Sequence, residues 1–94
     1  MLEMVPVETR PLGRLRKGQR GVVHAIVPAP GSTLSPSELE SRIVDMGFVE
    51  GAPVELVHEG PVGKDPIAVQ IRGSVIALRR QEANAILISG IDTP

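Results

Sequence analysis

The chain contains no cysteine, tryptophan or tyrosine, and Phe48 is its only aromatic residue. Without cysteine there are no disulfides, thiolate metal sites, iron–sulfur clusters or cysteine nucleophiles. Proteins that bind single-stranded nucleic acid or proline-rich peptides commonly use several aromatic side chains as a platform. One phenylalanine does not supply such a surface, so we expect neither function.

Long apolar runs and an excess of one charge are also missing. The longest uninterrupted apolar runs, Val75–Leu78 and Ala85–Ile88, have four residues each, whereas a transmembrane helix needs about 20. No basic segment leads into an apolar one near Met1, so a secretory signal is not expected. Ten basic against eleven acidic residues give a net charge of −1, which provides no bulk attraction to nucleic acid or anionic lipid. We therefore expect a soluble, cytoplasmic protein with no nucleic-acid partner and no direct membrane insertion.

The 94 residues suffice for one small domain with a thin core and no deep catalytic cleft. We expect residues 1–94 to form a single domain. Its core should span about residues 12–89, between a frayed N-terminal arm at 1–10 and a C-terminal tail at 90–94.

The clearest local signal is the start of a helix. Ser35 suits the N-cap, Pro36 suits the first helical position, and Glu38 completes a capping box with Ser35. The apolar residues that follow recur at helical spacing, and Gly47 then provides a stop signal. The pattern predicts one short helix over about residues 36–46.

Most of the remaining chain has the pattern of short strands. Residues 59–66, dense in glycine and proline, predict a long structured loop, and residues 80–84 predict one helical turn. About five short strands around one core indicate a mainly β protein, folded as a small antiparallel barrel with the helix inserted. The predicted strands, rich in β-branched residues or alternating in polarity, are 20–27, 53–58, 67–72, 75–78 and 85–89.

The motifs that suggest catalysis are incomplete. Between Gly60 and Gly63-Lys64 there are two residues where a phosphate-binding loop has four, and Asp65 stands where that loop has serine or threonine. The next predicted element is also a strand rather than a helix. No Gly-x-Ser-x-Gly nucleophile motif is present. We predict that the protein is not an enzyme and has no cofactor.

The only two histidines, His24 and His58, are weak candidates for ligands of a divalent metal. Imidazole and carboxylate groups suit ferrous iron, and Asp45 or Glu59 would have to complete a site. However, the two histidines do not form a His-x3-His pair. We therefore predict no metal site.

Several segments in a fixed order carry a resemblance to one family. Leu12-x2-Leu15-x2-Gly18 precedes the first predicted strand, and Arg42–Gly51 follows the start of the helix. The second half contributes Pro61–Ile67, Arg72-Gly73, Ile76–Arg79, Glu82-Ala83 and Ile86-x-Ile88. Over about residues 12–88 the sequence closely resembles the FeoA family, the small soluble components of bacterial ferrous iron transport systems.

This resemblance implies an SH3-like barrel, related in fold to the C-terminal domains of iron-dependent repressors. It also implies a non-catalytic accessory or regulatory protein that binds FeoB, a membrane transporter with a cytoplasmic GTPase domain. Two features depart from the family pattern: Pro28–Ser35 is a longer, proline-rich segment, and Arg42-Ile43 replaces an arginine–leucine pair.

We expect the partner to contact the loop between the second and third predicted strands, where Val62, Lys64 and Asp65 should be exposed. Arg79 is expected to brace the barrel by hydrogen bonds to carbonyl groups, and the role of Arg72 is left open between bracing and partner contact. The predicted partner-binding residues are Pro61, Val62, Gly63, Lys64, Asp65, Pro66 and Arg72.

Two other functions remain open at this point. One is a sensor or carrier that binds ferrous or another divalent transition metal itself, and the other is an SH3-like regulatory partner of an iron-dependent repressor. The chain has no recognition helix and no basic bias, so it would not bind an operator alone. Exposed strand edges make a homo-oligomer compatible with the sequence.

Overall fold

The structure of the protein is a computed structural model, which describes residues 8–27 and 35–92. Its elements, in chain order, are β1 (Thr9–Pro11), a 3-10 turn η1 (Leu12–Arg14), β2 (Arg20–Ile26), α1 (Pro36–Asp45), β3 (Pro53–Val62), β4 (Asp65–Ile71), β5 (Ser74–Leu78), α2 (Arg80–Ala83) and β6 (Ile86–Asp92). The strands form one antiparallel sheet in the order β1-β6-β2-β3-β4-β5. The predicted mainly β fold with one inserted helix is confirmed, with six strands in place of about five. Residues 28–34, most of the proline-rich segment, lie outside the described residues.

The structure differs from the sequence-based prediction in the first and the last strand. Thr9 pairs with Ser89, so β1 includes residues expected to belong to a frayed arm. The last strand, β6, runs on to Asp92, which was expected to belong to the C-terminal tail and which pairs with Arg20 of β2. These residues are ordered by backbone pairing, which leaves little trace in the pattern of side chains when a strand is short.

Helix α1 begins and ends where its local signals predict. The hydroxyl of Ser35 accepts a hydrogen bond from the backbone N–H of Glu38 at 3.3 Å. At the other end Gly47 has a φ of 104°, and the N–H of Phe48 donates to the carbonyl of Ile43 at 3.2 Å. This is a Schellman ending, and it turns the fully buried Phe48 into the core.

The core is formed by one face of the sheet together with Leu12 of η1, Ile43 of α1 and Ala83 of α2. Alternate residues of the strands point inward, as the period of two requires. Its largest fully buried side chains are Phe48, Leu12, Leu15, Leu56, Ile67, Ile71, Ile86, Ile88, Val23 and Val69.

Strands β3 and β4 replace most of the long loop predicted at residues 59–66. Val62 pairs with Asp65, so only Gly63 and Lys64 lie at the turn. Their φ values of 66° and 61° are both left-handed, as in the type I′ turns that suit tight hairpins. The prolines are tolerated because the ladder is bulged between Glu59 and Val62, where a missing N–H breaks no regular pairing.

Candidate functional site: the β3–β4 hairpin tip

The tip of the β3–β4 hairpin, residues Pro61–Pro66, is mostly exposed. Val62 is 81% exposed, the largest value among the exposed large hydrophobic residues of the described chain. Lys64 is also exposed, as predicted, but Asp65 is half-buried. Its carboxylate oxygen Oδ1 accepts a hydrogen bond from the backbone N–H of Arg80 at 3.0 Å. Asp65 therefore caps the start of α2 instead of projecting into solvent.

The side chain of Arg80 joins the tip to the rest of the fold. Its Nε donates to the carbonyl of Lys64 at 2.9 Å, and its Nη1 donates to the carbonyls of Gly13 at 3.0 Å and Leu15 at 2.7 Å. Its Nη2 lies 2.6 Å from Oε2 of Glu59 in an ion pair. We call this set of residues the Arg80 network. It consists of Arg80 and the residues that it bonds, which are Gly13, Leu15, Glu59, Lys64 and Asp65.

The position of Glu59 in this network results from a bulge in β3. Leu56 pairs with Val69 and His58 pairs with Ala68, so β3 has one residue more than β4 between these two pairs. The extra residue reverses the alternation of faces, and Glu59 pairs with the buried Ile67 instead of facing outward. The Glu59 and Arg80 side chains are 18% and 21% exposed. At such burial an ion pair is screened less than on an open surface, and removing one partner is costly.

Gly13 permits η1 to pack this closely against α2. A Cβ atom on Gly13 would lie closer than 3.0 Å to the carbonyl oxygen of Arg80 and to Oδ1 of Asn84. That Oδ1 atom is buried and has no hydrogen-bond partner among residues 8–27 and 35–92. A side chain at position 13 would therefore separate the two elements that Arg80 connects.

Arg72 is not part of the hairpin tip, although both were predicted to contact the partner. It follows the C-terminal end of β4, seven residues beyond Asp65, which corresponds to about 23 Å along an extended strand. There it lines an open cleft of ≈ 480 Å³ together with Arg20, Glu55 and Asp92. The predicted partner-binding residues thus divide into two separate surfaces.

Among the described residues, neither the Arg72 nor the Arg79 side chain bonds a carbonyl group, which is the bracing contact considered from the sequence. Both side chains are exposed, and the bonds to carbonyl groups expected of Arg79 are made by its neighbour Arg80. Sequence reasoning missed Arg80 because its partners lie 15 to 67 residues away along the chain. The only local sign was an arginine at the start of a single helical turn.

The structure does not bring the two histidines together. The β2–β3 pairing runs from Arg20 opposite Glu55 to Val22 opposite Pro53, so His24 and His58 lie beyond its opposite ends. Both are exposed, and the carboxylate of Glu59 is already paired with Arg80. Across residues 8–27 and 35–92, no three histidine, cysteine or acidic side chains are grouped in a way that could hold a metal ion.

No helix within the described part of the chain is long and apolar enough to cross a membrane. The longest, α1, has ten residues.

The chain forms one antiparallel sheet of six strands with short helices, and a solved structure described as an SH3 domain protein is similar to it. The family model of the FeoA domain matches residues 10–90. The chain belongs to the FeoA family.

Solved structures agree with this assignment. The FeoA-like protein from Clostridium acetobutylicum is 30% identical, with a TM-score of 0.72 over 94% of this chain and 90% of that one. FeoA from Stenotrophomonas maltophilia, solved with zinc and described as a procaryotic SH3 domain protein, is 27% identical, with a TM-score of 0.71 over 87% and 94% of the two chains.

A repressor shares the fold. IdeR from T. acidophilum is 17% identical with a TM-score of 0.69, and the match covers 93% of this chain but 36% of that one. At this identity the likeness concerns the fold alone. A comparison with curated proteins finds no match.

Proposed function

We propose that this protein is a non-catalytic accessory protein of ferrous iron uptake that acts in the cytoplasm. It binds the cytoplasmic side of a FeoB-type transporter, including its GTPase domain, through the hairpin tip. Membership of the FeoA family supports the link to ferrous iron transport. The S. maltophilia relative is described as a candidate activating factor for bacterial ferrous iron transport.

The observation that supports the proposal is the exposure of Val62 directly before a two-residue hairpin turn. An apolar side chain that is 81% exposed gains about 1.5–3 kcal/mol when a partner buries it fully. Lys64 beside it supplies a positive charge that gives orientation and on-rate more than affinity. Because the turn contains only Gly63 and Lys64, little chain entropy is lost on docking.

The test is calorimetric titration of the protein into the purified cytoplasmic GTPase region of the transporter, once with GDP and once with a GTP analogue. We expect Val62→Glu to abolish binding and to leave the melting temperature almost unchanged. Val75→Glu is the matched control, because Val75 is also strongly exposed, at 61%, but lies on β5, away from the tip. Binding by Val62→Glu equal to that of the unmodified protein would contradict the proposed contact.

The nucleotide dependence of the titration separates two modes of action. Binding in one nucleotide state only would indicate regulation of the GTPase cycle, whereas equal binding in both states would indicate a scaffold. If the unmodified protein does not bind the folded GTPase region in either state, the proposed partner surface on that region is wrong.

A second candidate, a divalent-metal sensor or carrier, is favoured by one observation, the zinc complex of the S. maltophilia relative. The absence of a three-ligand group among residues 8–27 and 35–92 weighs against it. Anaerobic titration with ferrous iron tests it. Tight stoichiometric binding that is lost in a His24→Ala/His58→Ala double variant would favour this candidate over the first.

A further inference from the structure

We infer that Arg80 is a positioning residue that fixes the shape of the hairpin tip and so prepares it for docking. The docking part of this inference rests on the proposed function. The ordering of the tip is argued from contacts within the chain and is tested without any partner.

Arg80 contacts the tip at two consecutive residues and with two different groups. Its backbone N–H bonds the Asp65 carboxylate at 3.0 Å, and its Nε bonds the Lys64 carbonyl at 2.9 Å. Lys64 is a turn residue with a left-handed φ of 61°, which a residue other than glycine adopts at a cost. The bond to its carbonyl fixes the orientation of the peptide group between Lys64 and Asp65, and so stabilises this unfavourable conformation.

The same guanidinium is anchored on parts of the fold that do not belong to the tip. Nη1 bonds the carbonyls of Gly13 and Leu15, at 3.0 and 2.7 Å, and Nη2 bonds Glu59 at 2.6 Å. Leu15 is fully buried, so this end of the network is fixed by the core. A planar guanidinium reaches all these acceptors at once, whereas a lysine ammonium would have to choose among them.

Within the described part of the chain, few other contacts hold the tip in place. Pro61, Val62, Gly63 and Lys64 are exposed, and none belongs to the hydrophobic core. Beyond the bulge at Gly60 and Pro61, the ladder has one further pair, Val62 opposite Asp65. The end of a two-stranded hairpin is marginally stable without such packing. Without Arg80 we therefore expect the tip to sample several conformations, and a partner would have to select one of them.

The first measurement is amide hydrogen exchange, followed by NMR, on the unmodified protein and on Arg80→Lys and Arg80→Gln. Arg80→Lys keeps the positive charge beside Glu59, so it can be measured even if Arg80→Gln does not fold. We expect exchange at the amides of residues 62–65 to accelerate at least about tenfold in both variants. Exchange at the amides of Leu56 and Val69 should change only as much as the global stability changes.

A core variant separates positioning from a general loss of stability. Ile88→Val removes a methylene from the core at a fully buried site on β6 and destabilises the protein without touching the Arg80 network. The variants are compared under denaturant or temperature conditions at which their global stabilities are equal. Under these conditions, exchange at residues 62–65 in Ile88→Val should equal that in the unmodified protein. Equal tip exchange in Arg80→Lys, Arg80→Gln and Ile88→Val under these matched conditions would overturn the inference.

The docking part is tested by titrating the same variants into the transporter's GTPase region. We expect Arg80→Lys to weaken binding about tenfold and Ile88→Val to leave it unchanged. Tip loosening with unaltered affinity would overturn the docking role of Arg80. If the unmodified protein does not bind, the proposed function fails, while the exchange data still decide whether Arg80 orders the tip.

Discussion

Replacing Gly13 with alanine is expected to destabilise the protein by about 2.5–6 kcal/mol through the contact between η1 and α2. The new Cβ would lie closer than 3.0 Å to the carbonyl oxygen of Arg80 and to Oδ1 of Asn84. The carbonyl belongs to the backbone of α2, so relief requires that helix or η1 to move. Any such movement also lengthens the bond from the Arg80 guanidinium to the Gly13 carbonyl, now 3.0 Å.

The magnitude combines two costs. Overpacking of a close contact typically costs about 1–3 kcal/mol, and loss of a hydrogen bond to a charged, partly buried donor costs about 1.5–3 kcal/mol. A chain of this length has a total stability of about 5–14 kcal/mol. Gly13→Ala would therefore remove a large part of it, and the melting temperature should fall by roughly 10 °C or more.

Urea denaturation followed by far-UV circular dichroism measures the effect, with Gly51→Ala as the control. Gly51 has a left-handed φ of 85°, and apart from its chain neighbours no atom lies within 4 Å of the position that a Cβ would occupy. Its substitution therefore costs about 1–2 kcal/mol from backbone conformation alone. A loss at Gly13 no larger than that at Gly51 would refute the steric argument. Adding Asn84→Ala to Gly13→Ala should recover part of the loss, because one of the two close contacts is then removed.

The remaining predictions concern single side chains. Ser35→Ala should destabilise α1 by about 0.5–2 kcal/mol, because the bond to the Glu38 N–H at 3.3 Å is lost; no change in the urea midpoint would contradict the cap. Arg72→Gly should raise stability by up to about 1 kcal/mol, because Arg72 has a φ of 50°, and a lower urea midpoint would count against relief of strain. Leu56→Ala should cost about 2–5 kcal/mol because Leu56 is fully buried, whereas Val62→Ala should stay within about 0.5 kcal/mol; equal midpoints for the two would contradict the assigned burial.

The sequence alone determined the features that depend on neighbouring residues. Helix α1 was predictable because its N-cap at Ser35 and its ending at Gly47 are both local signals. The strands β2, β4 and β5 were predictable to within one or two residues, since alternation of polarity marks a half-buried strand. The exposure of Val62 and Lys64 also followed from their place between turn-forming residues.

Tertiary structure alone decided which residues the site contains. β1 is defined by its pairing with β6, and the tight turn at Gly63 and Lys64 is defined by the register of β3 against β4. The bulge in β3 turns Glu59 toward Arg80, whose partners are distributed from Gly13 to Asp65. No local pattern encodes these contacts, because they exist only once distant segments are packed together.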